Sequence, residues 1–214
     1  MRRLTHYLLS PPSRFARLVI AEKRLTCDLA APEEGTDHLP IFTDLDGTRV
    51  VGLWAIVDHL EGTYSEHPLA PEDAEARAES LKFLDWAMGP LLDGVIRRIV
   101  YEKASPRFTG AAVQRTPDMT VIRQGREALK PALTAIGTAG ELHGYLASRE
   151  CTLGDLAVAA NLSTLDYFGE VPWAEYPAAA EWYIRTKSRP SFRSILSDRV
   201  PGQPPVSHYA ELDG

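Results

Sequence analysis

Cysteine is nearly absent from these 214 residues. The two present, Cys27 and Cys151, stand far apart and lack the paired spacing of a metal site, so the sequence offers neither a disulfide framework nor a zinc ligand set. Both read as ordinary buried or half-buried thiols. No apolar run approaches the roughly 20 residues that a membrane span needs. The opening Met1-Arg2-Arg3 leads into a polar-interrupted segment without the apolar stretch of a signal peptide, and a cytoplasmic protein is expected. Positive charge is in short supply too. With 23 basic against 29 acidic side chains the net charge is -6, which gives no electrostatic reason to expect nucleic acid or an acidic membrane as partner. Internal repeats and low-complexity tracts are missing. What is there, 44% hydrophobic and 24% charged, can bury a sizeable core in one large or two small domains.

The first 60 residues alternate extended and helical pieces. Leu4 to Leu9 reads as a strand, and Ser13 to Arg24 places Phe15, Leu18 and Val19 on one helical face. A second apolar segment, Leu25 to Leu29, is followed by the polar connection Ala30 to His38, too short to hold a full crossover helix with its loops. Beyond Leu39-Pro40, Ile41 to Leu45 and Thr48 to Val51 read as a hairpin turned by Asp46-Gly47. Leu53, Ile56, Val57, Leu60 and Tyr64 then form the stripe of a helix packed on a sheet.

From Pro71 onward strand signals vanish. Glu72 to Lys103 reads as one long helix bent at Gly89-Pro90, and a second begins at Thr116-Pro117, with Thr as cap, and passes Pro131. Residues 104 to 115 between them are small, polar and basic, the composition of a mobile loop. The expected organisation is an α/β domain over residues 1–65, a linker over 66–70, an all-α bundle over 71–200 and a proline-rich tail over 201–214.

Three local features together resemble the cytosolic glutathione-transferase fold, a thioredoxin-like domain followed by a helical bundle. Ser10-Pro11-Pro12-Ser13-Arg14, at the end of the first strand, stands where these enzymes carry the residue next to the glutathione sulfur. Leu39-Pro40 looks like the proline that the superfamily holds cis. Thr152-Leu153-Gly154-Asp155 is similar to the capping box of the buried helix at the centre of the second domain. The capping box has a reason of its own, because Thr and an acidic residue three positions on satisfy orphan amides at a helix start. Serine before a helix is, family apart, most often a plain cap.

Against that resemblance the glutathione site is degenerate. The family holds the γ-glutamyl end with a Glu/Gln-Ser pair after the hairpin; here Gly52-Leu53 stands in its place. Charge-assisted contacts of about 1.5–3 kcal/mol each are missing, enough to weaken binding by roughly two to four powers of ten. The short Ala30 to His38 segment leaves the second helix abbreviated, removing much of it. No cofactor is expected, with glutathione weak or absent. The degenerate site comprises Ser10, Ser13, Leu39, Pro40, Gly52 and Leu53, and no metal is expected. Arg14, Arg17 and His38 lie near enough in sequence to supply replacement charge, although each is more often a solvated surface residue.

A narrower resemblance covers most of residues 80 to 214. Asp118 to Glu127, Leu162 to Trp173, Tyr183 to Val200 and the ending His208 to Asp213 are similar in order and spacing to the FzlA family of alphaproteobacteria, and Tyr101-Glu102-Lys103 fits as well. Gly214 stands where that family ends in an aromatic residue, Glu211 where Asp is usual, and a Trp-containing second-helix segment is missing. The resemblance implies a homodimeric, non-catalytic adaptor at the division site. It would bind FtsZ filaments, alter their curvature or bundling, connect the division ring to cell-wall synthesis, and reach further division-ring proteins through its tail. The partner surface it implies comprises Arg14, Tyr101, Lys103 and Arg107 with the tail residues His208, Tyr209, Glu211 and Asp213. Two other readings remain open: a weak glutathione-dependent transferase or thiol-handling enzyme using Ser10, and a small-molecule carrier using the pocket between the domains.

Overall fold

The computed structural model describes residues 1–112 and 116–212. Strand β1 (Arg2–Thr5) is shorter than its apolar pattern predicts, because the chain turns at Tyr7–Ser10, and helix α1 (Pro11–Glu22) starts earlier than Ser13. Strand β2 (Cys27–Ala30) pairs parallel with β1. Residues 31–40 then run to β3 (Ile41–Thr43) with no helix between, as the shortness of that connection requires. Strands β3 and β4 (Arg49–Val51) form the hairpin, and the sheet order is β2-β1-β3-β4. Helix α2 (Leu53–Thr63) closes the domain, burying Leu53, Ile56, Val57 and Leu60 on the sheet.

The second domain begins with α3 (Ala74–Trp86), capped by Asp73, whose carboxylate accepts the Ala76 amide at 2.8 Å. The rod continues through a π-helical stretch, Ala87–Ile96, into α4 (Arg97–Lys103). The expected bend at Pro90 is thus taken up by wide turns. Residues expected as a polar loop instead form the helical turn α5 (Pro106–Thr109), with Thr109 buried; positions 113 to 115 lie outside the described residues. Helix α6 (Met119–His143) is capped by Asp118, which accepts the Thr120 and Val121 amides, and not by Thr116.

Helix α7 (Leu153–Tyr167) is buried along its whole length. Its first turn shows why: the Asp155 carboxylate accepts the Thr152 amide and hydroxyl, the Leu146 amide and the Trp182 indole N–H, at 2.8–3.0 Å. Burial pushes that carboxyl up, and those hydrogen bonds work against the shift. Gly154 lets α3 approach, since a Cβ there would stand 2.7 Å from the Ser80 carbonyl oxygen. Helices α8 (Pro177–Lys187) and α9 (Arg193–Leu196) complete the bundle. The architecture is a thioredoxin-like domain joined to a helical bundle, the cytosolic glutathione-transferase fold. No helix among the described residues is long and apolar enough to cross a membrane.

Candidate functional site

The register pairs Thr5 with Ile41 and Ile41 with Val51, which brings the end of β1, the start of β3 and the end of β4 to one edge of the sheet. Ser10, the Leu39–Pro40 peptide and Gly52-Leu53 therefore meet at that edge. The Leu39–Pro40 bond is cis, and the Pro40 carbonyl accepts the Gly52 amide at 3.0 Å. Gly52 has φ 88° and ψ 151°, a backbone region essentially reserved for glycine, and the Leu53 side chain turns into the core.

A helix N-terminus ordinarily presents free amides to an anion. Around Ser10 that supply is thin. Pro11 and Pro12 carry no N–H, the Tyr7 amide donates to the Ser13 hydroxyl at 3.0 Å, and the Ser10 amide leans back to the Tyr7 carbonyl. The Leu9 amide donates at 2.7 Å to the carbonyl of Phe108, which belongs to α5 of the other domain. That segment presses close: a Cβ on Gly110 would stand 2.4 Å from the Tyr7 ring. Ser10 caps nothing with its side chain; its buried hydroxyl lies near the Tyr101 phenol across the domain boundary. Burial pushes that phenol above its ordinary range and the nearby Ser10 hydroxyl partly counters it. Ser13 is buried structure, not cleft surface.

Arg14 and Arg17 supply no replacement charge to this edge. Arg14 is fully buried and points away from Ser10 into the seam with α7, donating to the Leu8 carbonyl, the Ser163 hydroxyl and Asp198. Arg17 reaches the same carboxylate with two bonds of 2.7 and 2.9 Å. Helix α1 is thus buried on two sides, sheet and bundle, which a one-face reading of its pattern misses. Lys103 is tied to Glu170, which also accepts Arg126 at 2.7 and 2.9 Å. Arg107 and His38 are exposed, and Tyr101 is half-buried under the Arg97 guanidinium at 5.0 Å. The described residues gather no group of three His, Cys, Asp or Glu fit to hold a metal.

No protein-family model matches the chain. It is 37% identical to FtsZ-localized protein A of Caulobacter vibrioides, over 99% of this chain and 98% of that protein. The chain belongs to that family. Among solved structures, FzlA from C. crescentus superimposes with a TM-score of 0.91 and 37% identity over 100% of this chain and 99% of the other. A glutathione S-transferase from Rhodospirillum rubrum F11 gives 0.92 and 34% over the whole of both chains.

In this member of the FzlA family the tail is part of the body. Val206 donates its amide to the Tyr167 carbonyl, and the Tyr167 hydroxyl donates to Gln203 O at 2.8 Å. A 3-10 turn over Ser207–Ala210, where no helical structure was expected, seats Tyr209. Tyr209 is a correction to the expected partner surface: it is fully buried, its hydroxyl bonded to Ile195 O at 2.9 Å and its ring 5.1 Å from Tyr167. His208 and Glu211 remain exposed beside a cavity of about 730 Å³ walled by Trp173 and Tyr183, which stack at 4.7 Å. At its base His208 Nε2 lies 3.2 Å from Asp166, and Lys187 3.6 Å. Asp213 lies outside the described residues. Sequence reasoning missed Asp198 and Asp166 altogether, because nothing local marks an acid whose partners stand far off in the chain.

Proposed function

We propose that this protein is a non-catalytic adaptor that binds FtsZ filaments, altering their curvature or bundling and linking the division ring to cell-wall synthesis. The name of its relative supports the partner. The observation that carries the non-catalytic part is the closed β1–α1 turn. An amide that could face a thiolate is held by Phe108, two prolines remove others, and Leu53 supplies no hydroxyl for the γ-glutamyl carboxylate. A homodimer is part of the proposal. Exposed Trp54 and Leu81, together with an apolar recess of about 250 Å³ between the π-helical stretch and α6, favour it. The contact surface for the filament falls on Arg107 and Tyr101 and on the exposed tail residues His208 and Glu211, in a protein acting in the cytoplasm at the division site.

Co-sedimentation with purified FtsZ polymers, read alongside electron micrographs of the filaments, tests this. Wild-type protein should pellet with polymer and change its appearance, and Arg107→Glu should weaken both. A folded protein that does neither sinks the adaptor reading. Calorimetric titration with glutathione accompanies it. Binding tighter than about 1 mM, roughly −4 kcal/mol, would instead support a rebuilt thiol site using Ser10.

A further inference from the structure

Helix α1 carries the Ser10 seat at one end; its other end, about 18 Å away along 12 residues, opens on a different cavity. This cavity, of about 400 Å³, lies at the seam of the two domains. Arg24 from the end of α1, His67 from the linker, Arg149 from the loop before α7 and Arg189 from the end of α8 all line it. Three guanidiniums and an imidazole facing one space are unexpected in a chain of net charge -6.

The four side chains are not equivalent. Arg189 is fixed: it donates to both oxygens of Glu22 at 2.7 and 2.8 Å and to the Tyr145 hydroxyl at 3.3 Å, while Ser191 holds the same carboxylate. Glu22 is therefore occupied. Arg24, Arg149 and His67 are exposed; Arg24 and Arg149 form no ion pair among the described residues, whereas His67 lies near enough to Glu22 to help hold its carboxyl below the ordinary range. Glu150, exposed on the wall, is the other carboxylate near them.

Two residues on the lips of the cavity adopt a backbone that is uncommon outside glycine. Arg24 ends α1 in the left-handed region, φ 57°, with its amide on Ala21 O and the Leu25 amide on Ile20 O. That position favours glycine, since a side chain there crowds the carbonyl. His67 has φ 58° on the other lip of the same cavity. Guanidinium forks match phosphate oxygens, and those of Arg24 and Arg149 are the ones left open; Arg189, with Nε and Nη2 on Glu22 and Nη1 on Tyr145, keeps only its remaining N–H groups for a ligand.

We propose that this seam is a binding site for a small phosphate-bearing molecule, held by Arg24, Arg149, His67 and Arg189. Its ligand would touch both domains and the linker, so binding would stiffen their relation, independently of whether FtsZ is the partner.

Inorganic pyrophosphate is the first probe, titrated into the full chain at fixed ionic strength, with citrate in parallel and melting temperature as a second readout. Pyrophosphate should bind and raise the melting temperature. Arg149→Ala should weaken binding by about tenfold. Arg24→Gly is the sharper variant, because it relieves the backbone while removing the cation: it should melt higher than wild type without ligand, yet bind pyrophosphate about tenfold more weakly. Absence of heat and of any melting shift, or equal binding by both variants and wild type, overturns the site. Citrate binding as tightly as pyrophosphate overturns the assignment to phosphate.

Discussion

Ser10, just ahead of α1, and Arg14 within it stand one helical turn apart, and the two regions they open onto use polar groups in different ways. At the Ser10 edge the backbone frame of a glutathione site persists, with the cis proline and the hairpin in place, but two of the positions carry no N–H and the Tyr7, Leu9 and Ser10 amides are already bonded. At the Arg14 seam the polar chemistry is dense: two arginines, Asp198 and Ser163, all buried, with the Tyr167 and Tyr209 rings about 6 Å from the guanidinium. Polar groups at the first edge would act on a ligand; those at the second act on the rest of the chain. Within one helix, then, the polar groups near Ser10 are few and largely tied to backbone, while the domain junction at Arg14 is held by buried charge.

The strongest way to break the comparison is Asp198→Ala. It leaves two buried guanidiniums with no counter-charge, a situation that costs about 3–5 kcal/mol, and the melting temperature should fall by roughly 10 °C. A loss no larger than that of a surface variant would mean the seam is open to water. Acid sharpens the same contrast. Burial, helped by the Arg17 charge, pushes His6 down to about 4 from an ordinary value of 6.5. Because the unfolded chain takes up the proton first, this residue subtracts no stability above about 6.5 and progressively more between about 6.5 and 4, up to ~3 kcal/mol. His6→Leu should flatten that part of a stability-versus-pH curve; an unchanged slope would assign it to another group.

At the Ser10 edge the expected effects are smaller. Gly52→Ala forces a side chain onto φ 88°, ψ 151° and should cost about 1–3 kcal/mol. It follows that a Gly52→Gln, Leu53→Ser double variant, which restores the family's residue types, should not regain glutathione binding in a calorimetric titration. Recovery would show that the lost side chains alone, and not the backbone, emptied the site.

Much of this was legible before the fold was known, and the rest was hidden for identifiable reasons. The βαβ opening, the missing second helix, the hairpin at Asp46-Gly47 and the Thr152–Asp155 cap follow from spacing and turn chemistry, which are local. Arg14 and Arg17 read as surface because their carboxylate is 184 and 181 residues away, and no periodicity reports such a pair. Tyr209 read as a contact residue for a similar reason: a proline-rich tail gives no sign that an aromatic within it fills the core beside Tyr167. Asp118 displaced Thr116 as a cap, a shift of two residues of the kind that propensities do not resolve.

The smallest expected effect belongs to the residue that the glutathione-transferase resemblance marks most strongly. Ser10→Ala removes one buried hydroxyl near Tyr101 and no cap bond, so its stability cost should be about 1 kcal/mol or less. If the seat is chemically silent, the variant should pellet with FtsZ polymer as the wild type does, and conjugation of an electrophile to glutathione should be undetectable in both. A wild-type activity that collapses on this substitution would mean that the Phe108 latch opens in solution and frees the Leu9 amide for a thiolate. The difference between the two ends of that helical turn would then be one of access, and a variant that loosens the latch, such as Gly110→Ala against the Tyr7 ring, should raise the activity further.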